Sequence, residues 1–222
     1  MMLNHLNISF IGGGNMASAM IGGLIKNGAD SEKISVADPY GPSREKLTQE
    51  FKVQTFSSIT AMAESLQQSQ VIVLAVKPQQ FKEACDELAP YLKSSPDAVC
   101  LSVAAGINTV DIVRWLNHAK IVRAMPNTPA LIAQGMTGLF ATSAALESDR
   151  LIAQTICNAV GKTIWVDQEH LMNAVTALSG SGPAYVFAFL EALENAANEL
   201  GIDNATGRTL AIQTVLGEIG RA

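Results

Sequence analysis

Leu6-Asn7-Ile8-Ser9-Phe10-Ile11-Gly12-Gly13-Gly14-Asn15-Met16-Ala17 joins a short apolar run, a glycine turn and the start of a helix. Leu6–Ile11 reads as a strand, and a helix over roughly Asn15–Asn27 is ended by Gly28. The G-x-G-x-x-A spacing from Gly12 to Ala17 is that of a dinucleotide site. Gly12 permits the tight turn, Gly14 lets backbone approach the pyrophosphate, and Ala17 lets the helix pack closely on the sheet. Backbone N–H groups of the turn and the positive end of the helix would hold the phosphates. The next strand, Ile34–Ala37, delivers Asp38, placed to accept the adenosine ribose hydroxyls. A carboxylate there repels a ribose 2′-phosphate, whereas Arg44, with Lys46 nearby, could pair with one. The balance leans to NADH and leaves NADPH open.

Outward from this turn, β-branched runs alternate with helical stretches to about residue 168. Asp38–Pro42 is a turn, and Ser43 is placed to cap a helix running to Phe51. Val71–Ala75, Val99–Ala104 and Ile121–Ala124 are continuous apolar runs, the mark of strands buried on both faces. Helices over Gln79–Tyr91 and Thr109–Asn117 separate them. Strands joined through helices pair in parallel, so the expected fold is α/β, an N-terminal Rossmann-type doubly wound parallel sheet. After Asp167 the pattern is helical: Leu171–Leu178, Ala184–Leu200 ended by Gly201, and Ala205–Ala222. The expected division is an NAD(P)-binding domain over residues 1–168 and a small all-α dimerisation and substrate domain over 169–222. Ala-rich helices with little core of their own complete their burial against a second subunit, giving a homodimer or higher homo-oligomer.

Composition narrows the function. Of 222 residues, 48% are hydrophobic and 16% charged, which suits a buried α/β core. A net charge of -5 argues against a nucleic-acid partner, and no apolar run is long enough to span a membrane. Met1–Asn7 carries no Lys or Arg and does not read as a signal peptide. Cys85, Cys100 and Cys157 are widely spaced, as are His5, His118 and His170. They suggest buried thiols in a reducing cytoplasm and no metal site.

Three further segments stand where strands should end: Ala75-Val76-Lys77-Pro78, Ser102-Val103-Ala104-Ala105-Gly106 and Arg123-Ala124-Met125-Pro126-Asn127-Thr128-Pro129. Ligands of open α/β sheets bind beyond those carboxyl ends. Leu178-Ser179-Gly180-Ser181-Gly182-Pro183-Ala184-Tyr185 follows, just before a long helix. Together these segments resemble pyrroline-5-carboxylate reductase over essentially the whole chain. The Met-Pro-Asn-Thr-Pro and Ser-Gly-Ser-Gly-Pro-Ala-Tyr stretches are far more specific to that family than the glycine turn.

The resemblance implies that Ile11, Gly12, Gly13, Gly14, Asn15 and Met16 hold the pyrophosphate. It places Asp38, Ala75–Pro78 and Val103–Ala105 along the adenosine and nicotinamide sides, with Met125 and Asn127 near the nicotinamide. Ser179, Gly180, Ser181, Gly182 and Pro183 would face the reacting ring of pyrroline-5-carboxylate, close to a dimer boundary. Two departures stand out. Met62 sits where the family often has an Asn near the adenosine. The family also continues through a Ser-Pro-Gly-Gly-Thr-Thr loop that grips the substrate, so the C-terminal part of the helical domain is expected to be missing.

The implied reaction passes hydride from NADPH or NADH to the imine carbon, giving proline. A protonated imine is already electrophilic, so orientation and exclusion of water suffice without a strong general acid. No lysine follows Lys162, which counts against the β-hydroxyacid dehydrogenases, whose carbonyl chemistry takes a proton from a lysine on a later helix. Ser179 and Ser181 could hydrogen-bond the substrate or simply satisfy a helix start, and Lys77 is expected to contribute backbone contact. Glu191 and Glu194 read as a solvated or interface face. A non-catalytic, redox-sensing dinucleotide binder is the rival from another class.

Overall fold

The computed structural model describes residues 3–221. Met1, Met2 and Ala222 lie outside it, Ala222 being the last residue of the helix expected over Ala205–Ala222. The chain divides into two compact units, one ending at Gly180 and one beginning at Ser181. The expected change of character at residue 169 falls earlier than this division.

The first unit opens with β1 (Ile8–Ile11), α1 (Asn15–Lys26), β2 (Ile34–Ala37) and α2 (Gly41–Phe51). Next come β3 (Gln54–Phe56), α3 (Ala63–Gln68), β4 (Val71–Leu74), α4 (Pro78–Leu92), β5 (Val99–Ser102), α5 (Thr109–Leu116) and β6 (Ile121–Met125). β7 (Gly135–Ala141), α6 (Glu147–Asn158), β8 (Gly161–Trp165) and α7 (Leu171–Val175) complete it. The strands form one sheet in the order β3-β2-β1-β4-β5-β6-β7-β8. Every neighbour from β3 to β6 is parallel, and the order reverses direction between β1 and β4. That reversal is the switch point at which such sheets open a crevice.

Alternation along the central strands builds two cores. Val71 and Val73 pack on one face with Met20, Ile21 and Leu24 of α1 and Ile152 and Ile156 of α6. Ile72 and Leu74 pack on the other with Leu66 of α3, Phe81 and Leu88 of α4 and Ile112 of α5. Both residues of each pair are fully buried, which is why such strands read as unbroken apolar runs.

Two expectations need correction. The sheet is not parallel throughout, because β7 runs antiparallel to β6. Only a loop with a 3-10 turn over Thr128–Ile132 separates them, so no crossover helix carries the chain back to the starting edge. The second concerns Ser43, which does not cap α2. That helix begins three residues earlier, with Tyr40 at the cap position and Pro42 in the first turn, where a missing N–H costs nothing.

α7 lies against β7 because Gly138 has no side chain: a Cβ there would come within 2.6 Å of Val175 Cγ1. A single π turn over Thr176–Gly180 ends this unit.

The second unit is a helical hairpin of α8 (Gly182–Glu199) and α9 (Asn204–Ile219). Gly201, at φ +85°, ends the first helix, and Asp203 caps the second by accepting from the N–H groups of Ala205 and Thr206 at 3.1 Å each. A Cβ on Gly207 would approach Ala197 Cβ to 2.9 Å, so the helices meet closely there. No residue of α8 is buried, and Gly207 and Ala211 are the buried residues of α9.

Candidate active site

The glycine turn is held on both sides by backbone. Gly12 N–H donates to Ala37 O and Ala75 N–H to Ile11 O, each at 2.8 Å. Gly12 has φ +97°, and a Cβ there would sit 2.8 Å from Ala75 O. Gly13 N–H donates to Asp38 Oδ2 at 2.6 Å. Gly14 occupies the cap position of α1 without any side-chain cap, and a Cβ on it would meet nothing within 4 Å. The first amides of α1, through Asn15 and Met16, thus have no capping side chain, and the positive helix end faces open space.

That space is a cleft of about 570 Å³, bordered by Ile11, Gly12, Gly14, Asp38, Ala75, Val76 and Lys77. It opens at the switch point between β1 and β4. Pro78 starts α4 directly after Lys77. Val103 N–H donates to Leu74 O at 3.1 Å, which carries the β4–β5 pairing past the strands and sets Val103 beside Ala75, with Ala104 and Ala105 next in the chain; none of the three borders the cleft. Met125 ends β6. The segments after β2, β1, β4, β5 and β6 therefore line one edge of the sheet in a row. From Asp38 to Met125 it spans four strand spacings, about 19 Å, a length suited to an extended dinucleotide. A glycine cradle, an uncapped helix start and a cleft along the strand ends fit such a cofactor.

Asp38 serves the turn as well as the cleft. Its Oδ1 accepts from Tyr40 N–H at 2.8 Å while Oδ2 holds Gly13. Arg44 donates through Nη1 to the Asp38 carbonyl at 2.7 Å, so its guanidinium braces this turn. Ser43 reaches the cleft wall. Met62 is fully buried in the core, and the cleft wall nearest it is formed by Ser57, Ser58 and Ile59.

At the other end of the row, Asn127 ties three segments together. Its Nδ2 donates to Ser179 O at 3.2 Å and to Ser179 Oγ at 3.3 Å, and its Oδ1 accepts from Met136 N–H at 2.8 Å. A Cβ on Gly180 would lie 2.7 Å from Met125 Cε, so this glycine permits close passage over the strand end. Ser181, Gly182 and Pro183 begin the second unit, Ser181 at the cap position of α8 without a side-chain cap bond.

Sequence reasoning missed the polar wall of Ser57, Ser58, Gln80, Glu83 and Glu87. The last three recur at helical spacing along α4, a signal identical to that of any solvated helix face. It also missed the partners of Arg123 and Glu169, which contact each other 46 positions apart. A second hollow of about 520 Å³ beside Asn27, Gly28 and Thr155 lies at the far end of α1 from the glycine turn. The three cysteines are free and buried; burial pushes the Cys85 and Cys157 thiols up to about 12 and raises that of Cys100 as well. Among the described residues no group of three or more His, Cys, Asp or Glu could hold a metal ion, and no helix is long and apolar enough to cross a membrane.

Residues 7–106 match the family "NADP oxidoreductase coenzyme F420-dependent", and residues 169–221 match "Pyrroline-5-carboxylate reductase dimerisation". A pyrroline-5-carboxylate reductase of Haemophilus influenzae is 44% identical over 216 residues, 97% of this chain and 78% of that protein. The solved structure of a pyrroline-5-carboxylate reductase from Coxiella burnetii, 42% identical, superposes with a TM-score of 0.90 over 96% of this chain and 78% of that one. The Plasmodium falciparum pyrroline carboxylate reductase with NADP bound is 27% identical, with a TM-score of 0.84 over 98% of this chain and 79% of that one.

Proposed function

The chain belongs to the pyrroline-5-carboxylate reductase family, and on that premise we propose that it reduces the cyclic imine pyrroline-5-carboxylate to proline with NADPH or NADH. The observation that carries this is the uncapped start of α1 at Gly14, open to a cleft of about 570 Å³ along the strand ends. Bound there, the dihydronicotinamide supplies the hydride. The Ile11–Met16 turn holds the pyrophosphate, and Asp38 with Arg44 frames the adenosine ribose. Ala75–Pro78 and Val103–Ala105 line the middle of the cofactor, and Met125 and Asn127 its reacting end. Ser179, Gly180, Ser181, Gly182 and Pro183 offer two hydroxyls and close backbone to the substrate ring.

The imine carbon gains a hydride and the ring nitrogen keeps a proton taken from water. With the iminium already electrophilic, the protein's work is orientation and exclusion of water. In this scheme residues 1–168 carry the cofactor and 169–222 the substrate and subunit contacts. The hairpin's exposed apolar residues, including Phe187 and Phe189, support a homodimer or higher homo-oligomer formed through that unit. Three unpaired, buried thiols support a cytoplasmic setting.

The test is oxidation of NADPH or NADH on adding the imine, with proline identified as product. Cofactor binding with no oxidation would instead describe a redox-sensing protein.

A further inference from the structure

Arg123, on β6, is among the largest fully buried side chains, in a protein whose other arginines are not buried. Its Nη1 donates to Glu169 Oε1 at 3.1 Å and to Asn108 Oδ1 at 3.0 Å. Glu169 is engaged twice more, accepting from Thr109 N–H at 2.6 Å and from Thr109 Oγ1–H at 2.7 Å. It therefore caps α5 from 60 positions away, while Asn108, at the cap position itself, turns its side chain to the guanidinium. A buried ion pair is weak evidence for stability, because desolvation offsets much of the attraction. Its value lies in fixing one geometry.

The geometry it fixes is that of residues 169–180. This stretch is bound to β6 and its continuation at both ends: Glu169 to Arg123 at the start, Ser179 to Asn127 at the finish. Arg123 and Asn127 stand four positions apart, on either side of Met125. We propose that the Arg123–Glu169 pair is a positioning device that sets the Asn127–Ser179 contact at the reacting end of the cofactor row. Neither Arg123 nor Glu169 borders the cleft. It rests on the reductase assignment only in what the contact is for.

The test uses the whole protein with Glu169→Gln, which removes the charge and one acceptor oxygen at nearly constant size, and Arg123→Lys, which keeps the charge and loses the guanidinium's donor array. Exchange of the Met136 amide, which donates to Asn127, is expected to quicken in both. Turnover of the imine should fall about tenfold, as misplacement of reacting groups does, while NADPH and NADH affinities stay unchanged. Unchanged Met136 exchange and unchanged kcat and KM in folded variants overturn the proposal. So does a lowered Tm with parental kinetics, or failure of both variants to fold, since either makes the pair a matter of folding alone. A parent protein that leaves the imine untouched refutes the reductase assignment instead, and Met136 exchange still reads the clamp.

Discussion

Gly12 and Gly14, two positions apart, are glycine for opposite reasons. Gly12 answers to the fold: positive φ and the neighbouring Ala75 carbonyl leave no room for a side chain. Gly12→Ala should cost about 1–3 kcal/mol, read as a lower Tm. Gly14 answers to the ligand, because a side chain there meets nothing but the cleft. Gly14→Val is expected to keep the parental Tm and lose NADPH and NADH binding by calorimetry; retained affinity would remove the turn's assigned role. Asp38→Asn removes the charge and keeps one of the two oxygens that accept from the Gly13 and Tyr40 N–H groups. It should raise the NADPH-to-NADH efficiency ratio about tenfold, since charges a few ångströms apart near a surface interact by about 1–4 kcal/mol; an unmoved ratio would rule out charge discrimination. His118 supplies a pH test. Its ring donates to Ala98 O at 2.8 Å, and burial first of all lowers its pKa below 6.5 in the folded state. The unfolded chain then binds more protons, so this contribution is present above 6.5 and lost as pH falls through 6.5 toward the depressed folded value. His118→Gln should flatten the Tm profile over that acid window. The turn's glycines were legible from spacing, whereas the two amides held by Asp38 and the partners of Arg123 depend on contacts that no spacing encodes.

The central strands were legible because burial on both faces leaves an unmistakable apolar run, as in Val71–Leu74. The missed strands carry no such mark. β3 is three residues long and partly polar, β8 alternates at the sheet edge, and β7 begins with glycine and contains another at Gly138. Those glycines look like breakers in sequence and are packing requirements in the fold. Gly138 pairs with Met125 across β6–β7 and lies beneath Val175 of α7. Gly138→Val should lift α7 from the sheet and cost about 1–3 kcal/mol, the usual range for overpacking. Thermal denaturation reads this directly, and a parental Tm would show that α7 is not seated through this glycine.

At the scale of the molecule, the helical unit is apolar on more sides than its own hairpin covers: Phe187 is 67% exposed and Phe189 57%. Large apolar side chains left exposed on a helix call for a covering surface, and the match of residues 169–221 to a dimerisation family supports a second copy as its source. Sedimentation should show the parent as an oligomer and Phe187→Glu as a smaller species; an unchanged size would place the interface elsewhere. That incompleteness was legible in the alanine-rich tail, but which side chains it exposes was not, since the helical period alone does not fix a helix's rotation about its axis. The hydride path itself is read most directly with cofactor deuterated at the transferring position of the dihydronicotinamide, mixed with pyrroline-5-carboxylate and the protein. Proline carrying deuterium on the ring carbon beside nitrogen and away from the carboxylate is the expected product. Proline without deuterium there, or imine recovered unchanged beside bound and unoxidised cofactor, would contradict hydride transfer at this site.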